Sequence, residues 1–160
     1  MRVTFVVPKE DDRENPLHQF TQCRVLPPVG LARMAGLAGK QARVSVVDER
    51  IGSDPHNGRP DIAVFFINAY NRERCLTLAR HYRELGGYVV LSGAMLANDS
   101  AQPAQYANSL FVGYGEECIA DFLNDYHLGK AKTVYYSGNE ARTYGRTEAA
   151  NGYMALSVAS

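Results

Sequence analysis

Ile62-Ala63-Val64-Phe65-Phe66-Ile67 is an unbroken apolar run between Pro60-Asp61 and Asn68. It is too short for a buried helix, and it does not alternate as a half-exposed strand would. A run of this kind marks a strand covered on both faces, at the centre of a parallel sheet. Downstream, Asn71 is placed to cap a helix in which Cys75, Leu78, Ala79, Tyr82 and Leu85 recur at helical spacing. Gly86-Gly87 stops that helix, and Tyr88–Leu91 reads as a further strand running into Ser92-Gly93. A short helix is expected over Ala101–Ala107, then a brief strand Leu110-Phe111-Val112 ending in Gly113-Tyr114-Gly115. Ile119, Phe122, Leu123 and Tyr126 line one face of a helix over Glu116–Leu128, closed by Gly129.

Upstream, Arg2–Val7 is a short apolar strand ended by Pro8. Pro27-Pro28-Val29-Gly30 leads into a helix with Leu31, Met34, Leu37 and Ala38 on one stripe. Ala42–Val47 is a second strand, closed by Asp48-Glu49-Arg50, and Ile51–Pro60 has the glycine and proline content of a loop. Five strands thus alternate with helices across short connections. The fold expected is α/β: a flavodoxin-like (Rossmann-like), doubly wound, five-stranded parallel sheet with helices on both faces. Thr133–Tyr136 is a candidate for an added edge strand. Residues 1–136 form the domain, and 137–160, polar and without period, are expected to be a C-terminal extension or linker. Ligands of such sheets lie outside the carboxyl ends of the strands, near the point where strand order reverses.

Composition narrows the partners. With 160 residues, 46% hydrophobic and 21% charged, the chain fits one ordinary globular domain. Lys plus Arg equals Asp plus Glu, 17 against 17, without like-charge runs. This argues against nucleic acid or an anionic membrane as the main partner. The apolar runs are too short to span a bilayer, and the N-terminus reads as a strand and not as a secretory signal. Cys23, Cys75 and Cys118 are widely spaced and odd in number. They imply a reducing, cytoplasmic setting without a disulfide framework.

An ordered series of segments resembles the cobalamin-binding domain of cobalamin-dependent radical S-adenosylmethionine enzymes. It begins with Pro27-Pro28-Val29-Gly30-Leu31-Ala32, a strand ending in Asp48, and Pro60-Asp61 before an apolar strand. It continues with Leu78-Ala79-Arg80-His81-Tyr82-Arg83, Gly86 and Val89-Val90-Leu91-Ser92-Gly93. Val112-Gly113-Tyr114-Gly115-Glu116-Glu117 closes it, so that residues 1–136 are covered. The resemblance implies cobalamin held on the carboxyl-terminal rim, serving a radical S-adenosylmethionine enzyme or domain in methyl transfer. The sequence departs from that family in three respects. The cluster-binding C-x-x-x-C-x-x-C is absent, so no iron-sulfur cluster is expected in this chain. Ser92-Gly93-Ala94-Met95 stands where the family often has Gly-Gly-Pro-His. The chain also ends where the catalytic barrel would begin, so the expectation is an excised domain or a stand-alone relative, with no activity expected of the isolated chain.

The residues expected to touch the cofactor are Asn68, Ala69 and Tyr70 after the third strand, Ser92, Gly93 and Ala94 after the fourth, and Gly113, Tyr114, Gly115 and Glu116 after the fifth. Glycines at strand ends let a flat ligand approach the backbone, but they serve equally in tight turns. Glu116 and Glu117 suit the first turn of a helix and disfavour a bound phosphate there. Asp54-Pro55-His56-Asn57-Gly58 falls short of the cobalt-ligating Asp-x-His-x-x-Gly in spacing and in place. His56 is therefore read as a loop residue, and a bound cobalamin is expected base-off without a protein histidine. His18 and Cys23 lie in the long first loop. Asp11-Asp12 lacks the companion Asp and Lys of a phospho-acceptor pocket. Two rivals remain beside the cobalamin module: a non-catalytic interaction or regulatory protein that keeps the fold without a cofactor, and a flavin or nucleotide binder, disfavoured by a first loop without a phosphate cradle.

Overall fold

The computed structural model describes residues 1–10, 29–56, 58–113 and 115–138. Its strands are β1 (Arg2–Val7), β2 (Arg43–Asp48), β3 (Ile62–Phe66), β4 (Tyr88–Gly93), β5 (Ser109–Val112) and β6 (Val134–Tyr136). The helices among the described residues are α1 (Val29–Ala38), α2 (Arg72–Glu84), α3 (Ala101–Ala104) and α4 (Gly115–His127). All strand pairs are parallel, in the order β2-β1-β3-β4-β5-β6. Strand order reverses between β1 and β3, as the doubly wound reading requires. None of the described helices is long and apolar enough to cross a membrane.

The apolar run of β3 explains why it lies inside the sheet. Ile62 and Val64 pack toward α1 and α4 with Val3, Phe5, Val90, Phe111 and Phe122. Ala63 and Phe65 point the other way, among Val6, Leu78, Tyr82, Val89 and Leu91 under α2. Alternate residues of one strand thus feed two cores, which leaves no polar position to tolerate. At the edge, β2 covers less: Val46 is 48% exposed.

Among the described residues the sheet has six strands and not five. β6 pairs with β5 through Leu110↔Val134, Phe111↔Tyr135 and Val112↔Tyr136. It is the added edge strand for which Thr133–Tyr136 was the candidate, with a ladder three residues long. It is held from outside the strand: Tyr135 donates its hydroxyl to Asp125 at 3.0 Å and stacks edge-on against Phe111 and Phe122. Two further details differ from the sequence reading. α3 ends at Ala104 and not Ala107. There Asn108 takes over, its side chain accepting from the Val89 amide and its own amide donating to the Val89 carbonyl, which draws the chain into β5. Asn71 occupies the N-cap position of α2 without capping it by its side chain. That amide is spent on the preceding turn instead.

Phe111 joins β5, α4 and β6 through its ring contacts with Phe122 and Tyr135. Phe111→Ala is expected to lower the unfolding free energy by about 3–5 kcal/mol, measured by urea denaturation. A change under about 1 kcal/mol would mean that this core is not packed as described.

Candidate functional site

Residues that follow β1 and β3 border the reversal point, and a polar knot closes the space between them. Asn68 Oδ1 accepts the amides of Tyr70 and Asn71 at 2.8 and 2.9 Å, while its Nδ2 donates to Glu10 Oε1 at 3.2 Å. Asn71 Oδ1 accepts the Asn68 amide at 2.8 Å, and its Nδ2 donates to the Phe66 carbonyl at 3.0 Å. Asn68 is therefore a turn former tied across the crevice, with its polar atoms engaged by its own chain. Ala69 and Tyr70 face solvent beyond it.

At the end of β4 the glycine has a clear structural cause. A Cβ on Gly93 would collide with the Ile67 carbonyl oxygen, and a backbone atom cannot rotate aside. Ser92 is 1% exposed, and its hydroxyl meets the Met34 thioether at 3.9 Å. Gly115, the first residue of α4, is buried against the same pair. Its Cβ would collide with Ser92 Oγ and lie 2.6 Å from Met34 Sδ. Glu116 fills the remaining gap between α4 and α1, with its carboxylate 3.3 Å from where a Gly30 Cβ would stand and 3.6 Å from Arg33 Nη1. Gly113 has φ of 91°, a left-handed turn that suits glycine.

The candidate residues thus separate into two levels. Ser92, Gly93 and Gly115 lie below the surface, where the spaces they leave are taken by Ile67 and Met34. Ala69, Tyr70 and Ala94 are exposed above them, with Gly113 partly so. These last four follow three adjacent strands, which makes a strip roughly 10 Å across at the usual strand spacing. Among the described residues the result is a shelf of small, exposed side chains, flanked by Tyr70.

Tyr114, His18, Cys23 and Asp11-Asp12 lie outside the described residues. His56 is exposed and meets His81 edge-on at 4.8 Å. His81 is near the end of α2, which runs back toward the amino ends of the strands, so this pair is remote from the shelf. Burial pushes the Cys75 thiol strongly up, and burial with Glu117, Asp121 and Glu116 pushes that of Cys118 up to about 12. Neither supplies a thiolate at neutral pH. Among the described residues no group of three His, Cys, Asp or Glu side chains is arranged to hold a metal ion.

Sequence reasoning missed the charged belt on the β2 side of the rim. Arg50 grips Asp48 with Nε at 2.9 Å and Nη2 at 2.7 Å, and that hydrogen bonding raises the Arg50 pKa. Arg74 grips Glu49 with Nη2 at 2.5 Å, and Glu49 also accepts the Lys9 amide. Asp48-Glu49-Arg50 was visible as a strand closure. Its partner on α2 is too distant in sequence to be inferred without the fold.

Among the described residues, fold and rim define a doubly wound, all-parallel α/β domain with small exposed residues at its carboxyl-terminal edge. No protein-family model, curated protein or solved structure matches the chain.

Two substitutions separate backbone packing from ligand contact. Gly93→Ala is expected to destabilise the free protein by about 1–3 kcal/mol or more, because the backbone must shift. Gly115→Ala should cost less, since Met34 and Ser92 have side-chain torsions to spend. Urea midpoints of the two variants without ligand test the order, and a neutral Gly93→Ala contradicts it.

Proposed function

We propose that this chain is a cobalamin-binding module that holds the cofactor base-off, without a protein histidine on cobalt. It would serve a radical S-adenosylmethionine methyltransferase-type partner or domain. The observation that carries the reading is the shelf: three consecutive strand ends offer Ala69, Ala94 and Gly113 to solvent, with Tyr70 at their side. A corrin is a wide, nearly flat ring. Flat contact with exposed small residues and one aromatic neighbour is the kind of surface that accommodates it. The order of the motifs along residues 1–136 supports the same assignment.

When bound, cobalamin would supply the methyl-transfer chemistry. The chain's own residues would do the positioning. Gly93 and the Asn68 to Asn71 knot keep the strand ends low, Gly113 turns the chain without a side chain in the way, and Tyr70 packs at the border. Fold by itself does not fix this role. A second reading, a non-catalytic interaction protein that binds a protein partner and no cofactor, is favoured by one specific observation. The gaps at Gly93 and Gly115 are consumed by the chain's own Ile67 and Met34, so they offer a ligand no ready slot.

Incubation of the purified chain with hydroxocobalamin, followed by gel filtration with absorbance spectra, decides between the two. Co-elution of the corrin chromophore at micromolar protein is the expected result, and its absence favours the interaction protein. Ala94→Trp places a large ring on an exposed shelf position. It is expected to weaken retention at least tenfold while leaving the melting temperature within a few degrees of wild type. Equal retention by this variant would remove the shelf as the site.

A further inference from the structure

The connection from β4 to β5 is built from weak pieces. Residues Ala94–Ala97 make a single 3₁₀ turn and α3 has four residues, where a doubly wound fold commonly has a full helix. Helical segments of that length do not hold themselves in water. Beneath the 3₁₀ turn is a small pocket lined by Leu96, Ala97 and Ser100 together with side chains of β5 and β6. Yet this segment carries Ala94, one edge of the shelf.

Arginines of α2 hold it from the side. Arg72 Nη1 donates to Asp99 Oδ2 at 2.5 Å, and its Nη2 donates to Gln102 Oε1 at 2.6 Å. Arg80 donates to the Tyr106 hydroxyl at 3.2 Å, and Arg83 Nη1 donates to the Gln105 carbonyl at 2.8 Å. Arg72 differs from the other two in place. It follows directly on Asn71, which is locked into the turn after β3 by its bonds to Asn68 and Phe66. Its guanidinium therefore ties the loop after β3 to the segment after β4, the two sides of the shelf.

We infer that Arg72 is a positioning residue for the rim: its fork onto Asp99 and Gln102 sets the height of the 94–99 segment and with it the β4 edge of the shelf. Two donors in fixed geometry are needed, because Asp99 and Gln102 sit on successive parts of the segment, and a lysine ammonium reproduces only part of this. The ligand consequence rests on the cobalamin reading. The mechanical one does not.

The test uses the full chain and two independent readouts. In the free protein, amide hydrogen exchange is followed at Asn98 and Asp99, both of which donate to the Met95 carbonyl. Arg72→Ala is expected to speed exchange there about fivefold, in keeping with the modest strength of an exposed ion pair. Arg83→Ala, which frees only the far end near Gln105, should leave these two amides unchanged. Arg72→Lys should fall between wild type and Arg72→Ala. With hydroxocobalamin, Arg72→Ala is expected to raise the Kd about fivefold at an unchanged melting temperature, and Arg83→Ala to leave the Kd alone.

Unchanged exchange at Asn98 and Asp99 in Arg72→Ala overturns the inference. So does faster exchange with an unaltered Kd, since the clasp would then not position the site. If wild type binds no cobalamin, the cobalamin reading fails by itself, and the exchange comparison still decides whether Arg72 is the clasp.

Discussion

The carboxyl ends of β3 and β4 approach so closely that residue 93 has no room for a Cβ beside the Ile67 carbonyl. Much of the rim follows from that contact. The Ile67 amide donates to the Ser92 carbonyl at 2.9 Å, which carries the ladder one step past the end of β3. The chain must then turn sharply on both strands. On β3 the turn is made by Asn68 and Asn71, which satisfy each other's amides and the local backbone. On β4 it is made by the 3₁₀ turn that Arg72 secures. Apart from Tyr70, the side chains named at the shelf are small: Ala69, Ala94 and Gly113.

The same packing decides what kind of ligand the rim suits. Ser92, Gly115, Met34 and Glu116 interlock where α1 and α4 meet the sheet, so the surface is shallow there. Under the proposed reading, a broad planar ligand would gain area from several strand ends at once. Beside the shelf, the Asp48–Arg50 and Glu49–Arg74 pairs are mutually neutralised.

Much of the architecture was legible in the sequence because burial imposes pattern. A strand that serves two cores must be apolar throughout, as Ile62–Phe66 is, and a helix on one core must show a stripe, as Cys75, Leu78, Ala79 and Tyr82 do. β6 was legible only as the candidate edge strand Thr133–Tyr136, because three residues carry little pattern and its anchor, Tyr135 to Asp125, is tertiary. The site was legible only as positions. Sequence placed Asn68–Tyr70, Ser92–Ala94 and Gly113–Glu116 at strand ends. It could not tell that Gly93 is a glycine for Ile67 and Gly115 a glycine for Met34, since such gaps are filled by residues far away along the chain. The Arg72 fork onto Asp99 and Gln102 was hidden for the same reason.

The most direct test of the shelf is backbone amide NMR of the free chain titrated with hydroxocobalamin. A cobalamin shelf predicts saturable shifts centred on Ala69, Tyr70, Ala94 and Gly113, with little change at Asp61 or Tyr88 at the opposite end of the sheet. An absence of shifts at millimolar cofactor, or shifts centred on the amino ends of the strands, would contradict it.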